Sequence, residues 1–317
     1  MLIVNPHATS TTPLRRDVIA RALASELDLT VVQTRYRGHA AHFAGEAAQD
    51  GYQLVLTLGG DGTVNEAVNG LLHALPPAAG GPATRPALAA VPGGSANVFT
   101  RALGMPSDPV DATGRILAAL TGGGCRTIGV GLAQDRYFTV NAGLGFDAEV
   151  VRAIEGLRAD GQEASAGLFV WTAIRHFYGV TNRRQPALAL ELDGRPAAKR
   201  LFFAIVSNAA PWTYLGSRPV NPTPEAGFDT GLDVFALRTL GTLPTLGSLR
   251  YMLGIGAGWP GGPGGSADPR HILSLHDERE LAFRATRPIA FQVDGEYVGE
   301  REHVSFRSVP DALRVIS

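Results

Sequence analysis

Two glycine-rich stretches and one acidic turn hold the residues whose types and spacing fit chemistry on a phosphorylated molecule. In GGDGTVNE, residues 59–66, Gly59, Gly60 and Gly62 present bare backbone, so that N–H groups can converge on an anion. A helix starting here would add its positive end, with the Thr63 hydroxyl and the Asn65 amide at the same mouth. Asp61 is the informative residue, because a carboxylate beside a polyphosphate is repelled unless a cation or a proton to be transferred accounts for it. A generic Gly-Asp-Gly turn does not explain the longer combination. The lack of a Gly-Lys-Ser/Thr ending excludes a Walker A loop.

VPGGSANVFTRALG repeats the device, with Gly93 and Gly94 after an apolar run and Ser95 as hydroxyl and helix cap. Asn97 and Arg101 follow one and two turns on. Two such loops point to a nucleotide. QVDGEYVGE sets Asp294 and Glu296 on the same side of an extended segment around Gly295, a pair of acids for which a plain hairpin turn is the lesser alternative. NPHATS, after Asn5, read alone is a strand-to-helix turn.

The elements that must carry these loops alternate. LIVNP reads as a buried strand, LRRDVIARALASEL as an amphipathic helix, DLTVVQT as a strand, HAAHFAGEAAQDG as a helix and YQLVLTLGG as a strand buried on both faces. The helix after Gly62, a Pro/Gly/Ala-rich connector at 75–86, the strand ALAAVPGG and a helix over 95–103 continue the pattern. The expectation is an α/β domain with a parallel sheet, where ligands sit at the carboxyl ends of the strands. From Thr127 the texture changes to strands without crossover helices: RTIGVGLA, RYFTVNAGLG, PALALELDG, KRLFFAIVSNA, GLDVFAL and IAFQVDGEYV. Two apolar runs inside this half, ASAGLFVWTAIRHFYGV and TLGTLPTLGSLRYMLGIGAG, read as helices, and GWPGGPGGSADP as a glycine-proline loop. The expected division is an α/β domain over 1–125 and a β-rich, sandwich-like domain over 126–304.

Composition bounds the rest. With 317 residues, 45% apolar and 18% charged, the chain has material for two cores. A net charge of -1 argues against nucleic acid as partner. One cysteine, Cys125, expected to be a small buried residue, forms no internal disulfide, and eight scattered histidines do not spell a zinc site, which together fit a reducing cytosol. His39 and His42 share a helix face but lack a third ligand. No run of about 18 apolar residues is present, so membrane contact is expected to be peripheral.

At this point the chain resembles the bacterial diacylglycerol kinases and lipid kinases, whose catalytic domain is related to that of sphingosine and ceramide kinases. NPHA, Thr34 in VVQTRYRGHA, GGDGTVNE, PGGSANVF, NAGLGFDAEV, PEAGFDTGLDV and VDGE carry the resemblance, in order, over almost the whole chain. It implies an NAD kinase/diacylglycerol kinase-like α/β domain that binds ATP with Mg²⁺, a β-rich domain for the lipid, a cleft between them, and a C-terminal segment, about 305–317, that returns to the first domain. Carried over residue by residue, it makes Asn5, Thr34, Gly59 to Thr63, Glu66 and Ser95 nucleotide contacts, and sets Asp61 beside the phosphates. It makes Glu296 or Asp294 the acid that takes the hydroxyl proton.

The chain departs from the pattern at Thr230, where relatives carry the second acid of Asp-Asp-Gly, and at Thr127, where they often carry another aspartate. An auxiliary metal site at Asp229 is therefore expected to be weakened or absent. Val98 likewise stands where an acid is common. The implied activity is phosphorylation of diacylglycerol or a similar lipid by a cytoplasmic protein that visits the inner face of the membrane, with a homodimer an open option. An NAD kinase-like enzyme and a lipid-binding regulator with a decayed site are the alternatives. The aromatic run with Phe169, Trp171, Phe177 and Tyr178, and the LPTLGSLRYMLGIGAGW run, are each read as a helix capping the core or as a lipid-facing wall.

Overall fold

A computed structural model describes residues 1–75, 85–159, 172, 175, 184–255 and 268–317. The aromatic helix expected over 164–180 and most of the glycine-proline loop fall outside the described residues. The chain divides into two compact units, Met1–Val130 with Val309–Ser317, and Gly131–Ser308.

The first unit is built on four parallel strands, β1 Leu2–Val4, β2 Val31–Gln33, β3 Leu54–Gly59 and β4 Ala87–Pro92, in the order β4-β3-β1-β2. Parallel pairing requires crossovers, and the sequence supplies α1 Pro13–Ala24, α2 His39–Gln49 and α3 Asp61–Ala74 between successive strands. β3 and β4 are buried almost throughout, as strands covered on both faces must be. Thr12 caps α1 by accepting from the Arg15 N–H, with Pro13 at the first helical position.

After the short α4 Val98–Ala102 comes α5 Pro109–Gly122, a helix absent from the alternation above. Its signal is present in the sequence: Asp108 accepts from the Val110 and Asp111 N–H groups, Pro109 opens the first turn, and Gly123 closes the helix at φ 75°. Near the C-terminus Val315 pairs in parallel with Leu88 of β4.

The second unit is antiparallel. Its described strands include β7 Asn141–Leu144, β10 Phe203–Ser207, β13 Leu232–Leu237, β14 Ile272–Glu278 and the long pair β15 Glu280–Val293 and β16 Glu296–Ile316, of which the residues from Val309 onward belong to the first unit. Successive residues of β10 and β13 enter different cores: Ala204, Val206, Leu232, Val234 and Ala236 join one, and Phe203, Ile205, Phe235 and Leu237 the other. Period-two packing on both faces accounts for the unbroken apolar runs. β15 changes register between Arg284 and Ile289, and pairs with β8 Leu188–Leu192 before that point and with β7 after it. A strand that switches partners in this way lets the sheet fold over its core.

Three expectations need correction here. The RYFTVNAGLG run is not one strand: β6 Arg136–Phe138 stops before β7, because the N–H groups of Thr139, Val140 and Asn141 turn to the Asp294 carboxylate instead of a neighbouring strand. The β-rich half also contains α6 Phe146–Ala159, which starts after Gly145 with Asp147 and Glu149 in its first turn. The second apolar run does form a helix, α7 Thr242–Met252. Cys125 is exposed rather than buried, since β5 Cys125–Ala133 enters the core only from Ile128 onward.

Candidate active site

The loops singled out in the first unit are fused by their backbones. Gly93 N–H donates to Gly59 C=O at 2.8 Å and Ser10 N–H to Gly93 C=O at 2.8 Å, so the loops after β1, β3 and β4 form one surface at the strand ends. A Cβ on Gly94 would lie 2.6 Å from Gly60 Cα, and one on Gly93 3.0 Å from Gly59 Cα. A Cβ on Gly59 would meet Thr63 Oγ1 at 2.6 Å. None of these glycines has positive φ. Their bareness is therefore required by the approach of one loop to the other, where the sequence alone explained it only by room for an anion. Gly62 differs, because nothing lies within 4 Å of a Cβ placed there. It is exposed in the first turn of α3, where N–H groups lack intrahelical acceptors.

Side chains complete the junction. Asn5 Nδ2 donates to Thr63 Oγ1 at 3.1 Å, while Asn5 Oδ1 accepts from the His7 N–H at 3.0 Å. Asp61 Oδ1 accepts from the Phe99 N–H at 3.0 Å, tying the start of α3 to the start of α4. This structural role comes in addition to the cation or proton chemistry that the sequence suggests for Asp61. Asn97, not Ser95, occupies the cap of α4, in the left-handed region at φ 49°. Its amide accepts from the Gly94 N–H and donates to the Gly94 C=O, both at 2.8 Å, which holds the loop. Ser95 is exposed at the tip.

The remaining expected contacts scatter. Thr34 lies in a groove of about 790 Å³ with Pro6, His7, Gln33, His39 and Phe43, a volume in the range of small-molecule pockets. His39 is stacked between Tyr36, 4.3 Å away, and Phe43, 4.1 Å away. Asn65 is 1% exposed, and its backbone C=O and side-chain Oδ1 accept from Asn69 Nδ2 at 2.9 and 3.3 Å, so its amide does not line the mouth of the loop. Glu66 accepts from the Gly38 N–H at 2.7 Å and the Ala40 N–H at 3.1 Å. It thus caps the N-terminus of α2, where a carboxylate also meets the positive helix end.

In the second unit both oxygens of Asp294 are engaged. Oδ2 accepts from the Thr139 N–H at 2.7 Å and the Thr139 hydroxyl at 2.9 Å, and Oδ1 from the N–H groups of Val140 at 2.9 Å and Asn141 at 3.0 Å. Glu296, two residues on, pairs with Arg136. Asp229 is exposed, and the Thr230 hydroxyl is turned back onto Gly227 C=O at 3.0 Å. Among the described residues no group of three His, Cys, Asp or Glu side chains comes together as a metal cage. A nucleotide-borne Mg²⁺ does not need one, because phosphate oxygens and water supply most of its ligands and one carboxylate suffices. Asp61, at a helix start beside open backbone, fits that requirement.

The first unit is a parallel α/β sheet with fused glycine loops at the carboxyl ends of its strands, the end at which ligands of open α/β sheets sit. Residues 1–130 match the diacylglycerol kinase catalytic domain model. A Chromohalobacter salexigens protein named "Probable lipid kinase YegS-like" is 36% identical over 141 residues, 44% of this chain and 42% of that protein. A diacylglycerol kinase of Bacillus subtilis is 39% identical over 114 residues, 35% of this chain and 33% of that protein. The aligned segments thus span less than half the length of these curated relatives. A crystal structure of a diacylglycerol kinase from Bacillus anthracis covers 99% of this chain and 95% of its own, with a TM-score of 0.71 at 20% identity, a likeness of fold.

Proposed function

We propose that the protein is an ATP-dependent lipid kinase that transfers the γ-phosphate of Mg-ATP to a lipid hydroxyl, with diacylglycerol as acceptor and phosphatidic acid as product. The observation that carries the reading is the junction of the two glycine loops, with Gly62 open above the start of α3 and Asp61 beside it, in a segment of diacylglycerol kinase catalytic type. In this reading the β- and γ-phosphates lie over the first turn of α3, and the nucleoside extends along the groove holding Thr34. Asp61 would hold the Mg²⁺ carried by the nucleotide, which would supply neutralisation of the phosphate charge.

Glu296 is the proton acceptor. Asp294, with four donors on its carboxylate, has the environment of a structural anchor, whereas Glu296 forms a carboxylate–guanidinium pair with the part-exposed Arg136, which an incoming substrate can exchange. As the acceptor oxygen bonds to the γ-phosphorus, the bridging bond to the β-phosphate breaks, ADP leaves, and the hydroxyl proton passes to Glu296. Among the described residues no helix is long and apolar enough to cross a membrane. α7 exposes Leu243 (81%), Leu246 (54%) and Leu249 (44%) along one face, and this stripe is the surface that visits the bilayer.

The test is incubation of the purified protein with γ-labelled ATP and Mg²⁺ in mixed micelles containing diacylglycerol, monoacylglycerol, sphingosine or NAD. Label in phosphatidic acid is the expected result. Label in NAD alone, or in no acceptor while ATP still binds, overturns the reading.

A further inference from the structure

The NAGLGFDAEV segment contributes a buried acid that the proposed reaction leaves unused. Asp147, in the first turn of α6, is 5% exposed, and its carboxylate lies over Gly143, where any Cβ would collide with it. Its Oδ2 accepts from Gln292 Nε2 at 2.7 Å. The same nitrogen donates to Asn141 Oδ1 at 3.0 Å, and Gln292 Oε1 accepts from the Gly295 N–H at 2.8 Å. Gln292 is 1% exposed, so the amide has one satisfied orientation; a flip would face its oxygen to two acceptors and its NH₂ to a donor. Asp294 and Gly295 are both at positive φ, 46° and 78°, a tight turn that a tether at Gly295 holds in place.

We propose that Asp147 is a positioning residue: through the Gln292 amide it holds the turn at Gly295, and so sets where Asp294 and Glu296 stand. Its consequence for phosphoryl transfer rests on the lipid-kinase reading above. The ionised carboxylate makes a charge-assisted bond that fixes the amide, and protonation weakens it. Burial pushes Asp147 up to about 6, against the opposing effect of the Gln292 bond. β7 and β10, packed against α6, carry no ionisable side chain, and β15 faces Asp147 with neutral Gln292. On α6 itself Glu149, Arg152 and Glu155 are the other charged residues near the site; Arg152 pairs with Glu300, and Glu155 accepts from the Tyr297 N–H. Asp294 connects to Gln292 through Asn141, whose N–H donates to Asp294 Oδ1 and whose Oδ1 accepts from Gln292 Nε2.

The experiment uses the full-length protein labelled with ¹⁵N, as wild type, Asp147→Asn and Gln292→Ala. In the wild type the Gly295 backbone and Gln292 side-chain amide shifts are expected to titrate together with a midpoint of about 6. Asp147→Asn should abolish that titration, and Gln292→Ala should remove the Gly295 response and speed Gly295 N–H exchange about tenfold. In the micelle assay Asp147→Asn should lose the acid limb of the kcat profile and about tenfold in kcat, with KM for ATP within about twofold of wild type. A Gly295 signal that does not titrate, or titrates unchanged in Asp147→Asn, overturns the proposal, as does an unaltered kcat profile in an active variant. If the titration is present but the wild type labels no lipid, the positioning role stands and the kinase reading falls.

Discussion

Alanine at Gly62 and at Gly94 should have opposite effects on stability and the same effect on nucleotide binding. The Gly94 Cβ would lie 2.6 Å from Gly60 Cα, about 1 Å inside the ~3.5–4.0 Å optimum for carbon atoms. Both sides of that contact are backbone, so no rotamer change relieves it, and the ordinary cost of overpacking, ~1–3 kcal/mol, applies. Gly62 has open space and lies within a helix at ordinary φ. Alanine there gains helix propensity and loses unfolded-state entropy, stabilising by ~0.5–1 kcal/mol. By calorimetry Gly94→Ala should melt several degrees below wild type, and Gly62→Ala at or slightly above it. Both should weaken ATP binding in a fluorescence titration by about tenfold or more, Gly94→Ala by displacing the α3 start and Gly62→Ala by placing a methyl group where phosphate oxygens are expected. Full ATP affinity in Gly62→Ala would refute the phosphate position, and an unchanged melting temperature in Gly94→Ala would refute the loop contact as a constraint.

Further predictions follow from single side chains. Asp61→Asn keeps an acceptor for the Phe99 N–H and should cost only about 1 kcal/mol while turnover falls at least ~100-fold; Asp61→Ala strands that N–H and should cost ~2–3 kcal/mol by denaturant unfolding. Asp294→Ala removes the acceptor of three backbone N–H groups and should destabilise by at least ~3 kcal/mol, whereas Glu296→Gln should leave the melt nearly unchanged and abolish labelling of lipid. Asp147 has a folded value of about 6 against an ordinary 3.8, so the folded chain binds the extra proton between them, and this carboxyl lowers stability as pH rises through that window. Asp147→Asn should therefore gain on wild type between pH 4 and 7, by up to ~3 kcal/mol, in urea titrations at each pH. Leu243→Ser with Leu246→Ser should cut activity on vesicles several-fold without affecting ATP binding, and unchanged activity on vesicles would remove α7 from membrane contact.

Much of the architecture was legible because it depends on local pattern. The apolar runs before Gly59 and Gly93 are long and unbroken because both faces are covered, and the intervening helical spacing made a parallel sheet the natural arrangement. The caps of α5 and the acidic first turn of α6 are equally local signals, carried by Asp108, Pro109 and Gly123 in the one and by Asp147 and Glu149 in the other. No local signal marks Glu66 as the cap of α2, since its acceptor role is created by the packing of α2 on α3, 28 residues from Gly38.

The sequence by itself determined the order of strands and helices, the two glycine loops and the acidic turn, because secondary structure and motif chemistry depend on near neighbours. Only the tertiary structure decided what those residues do to one another. It made the glycines necessary through backbone contact across loops, turned the Asp61 carboxylate to Phe99, and separated Asp294, closed by four donors, from Glu296. Each of these depends on atoms brought together from distant parts of the chain, where a hydrogen bond or a Cβ collision is set by approach distance and leaves no trace in spacing along the sequence.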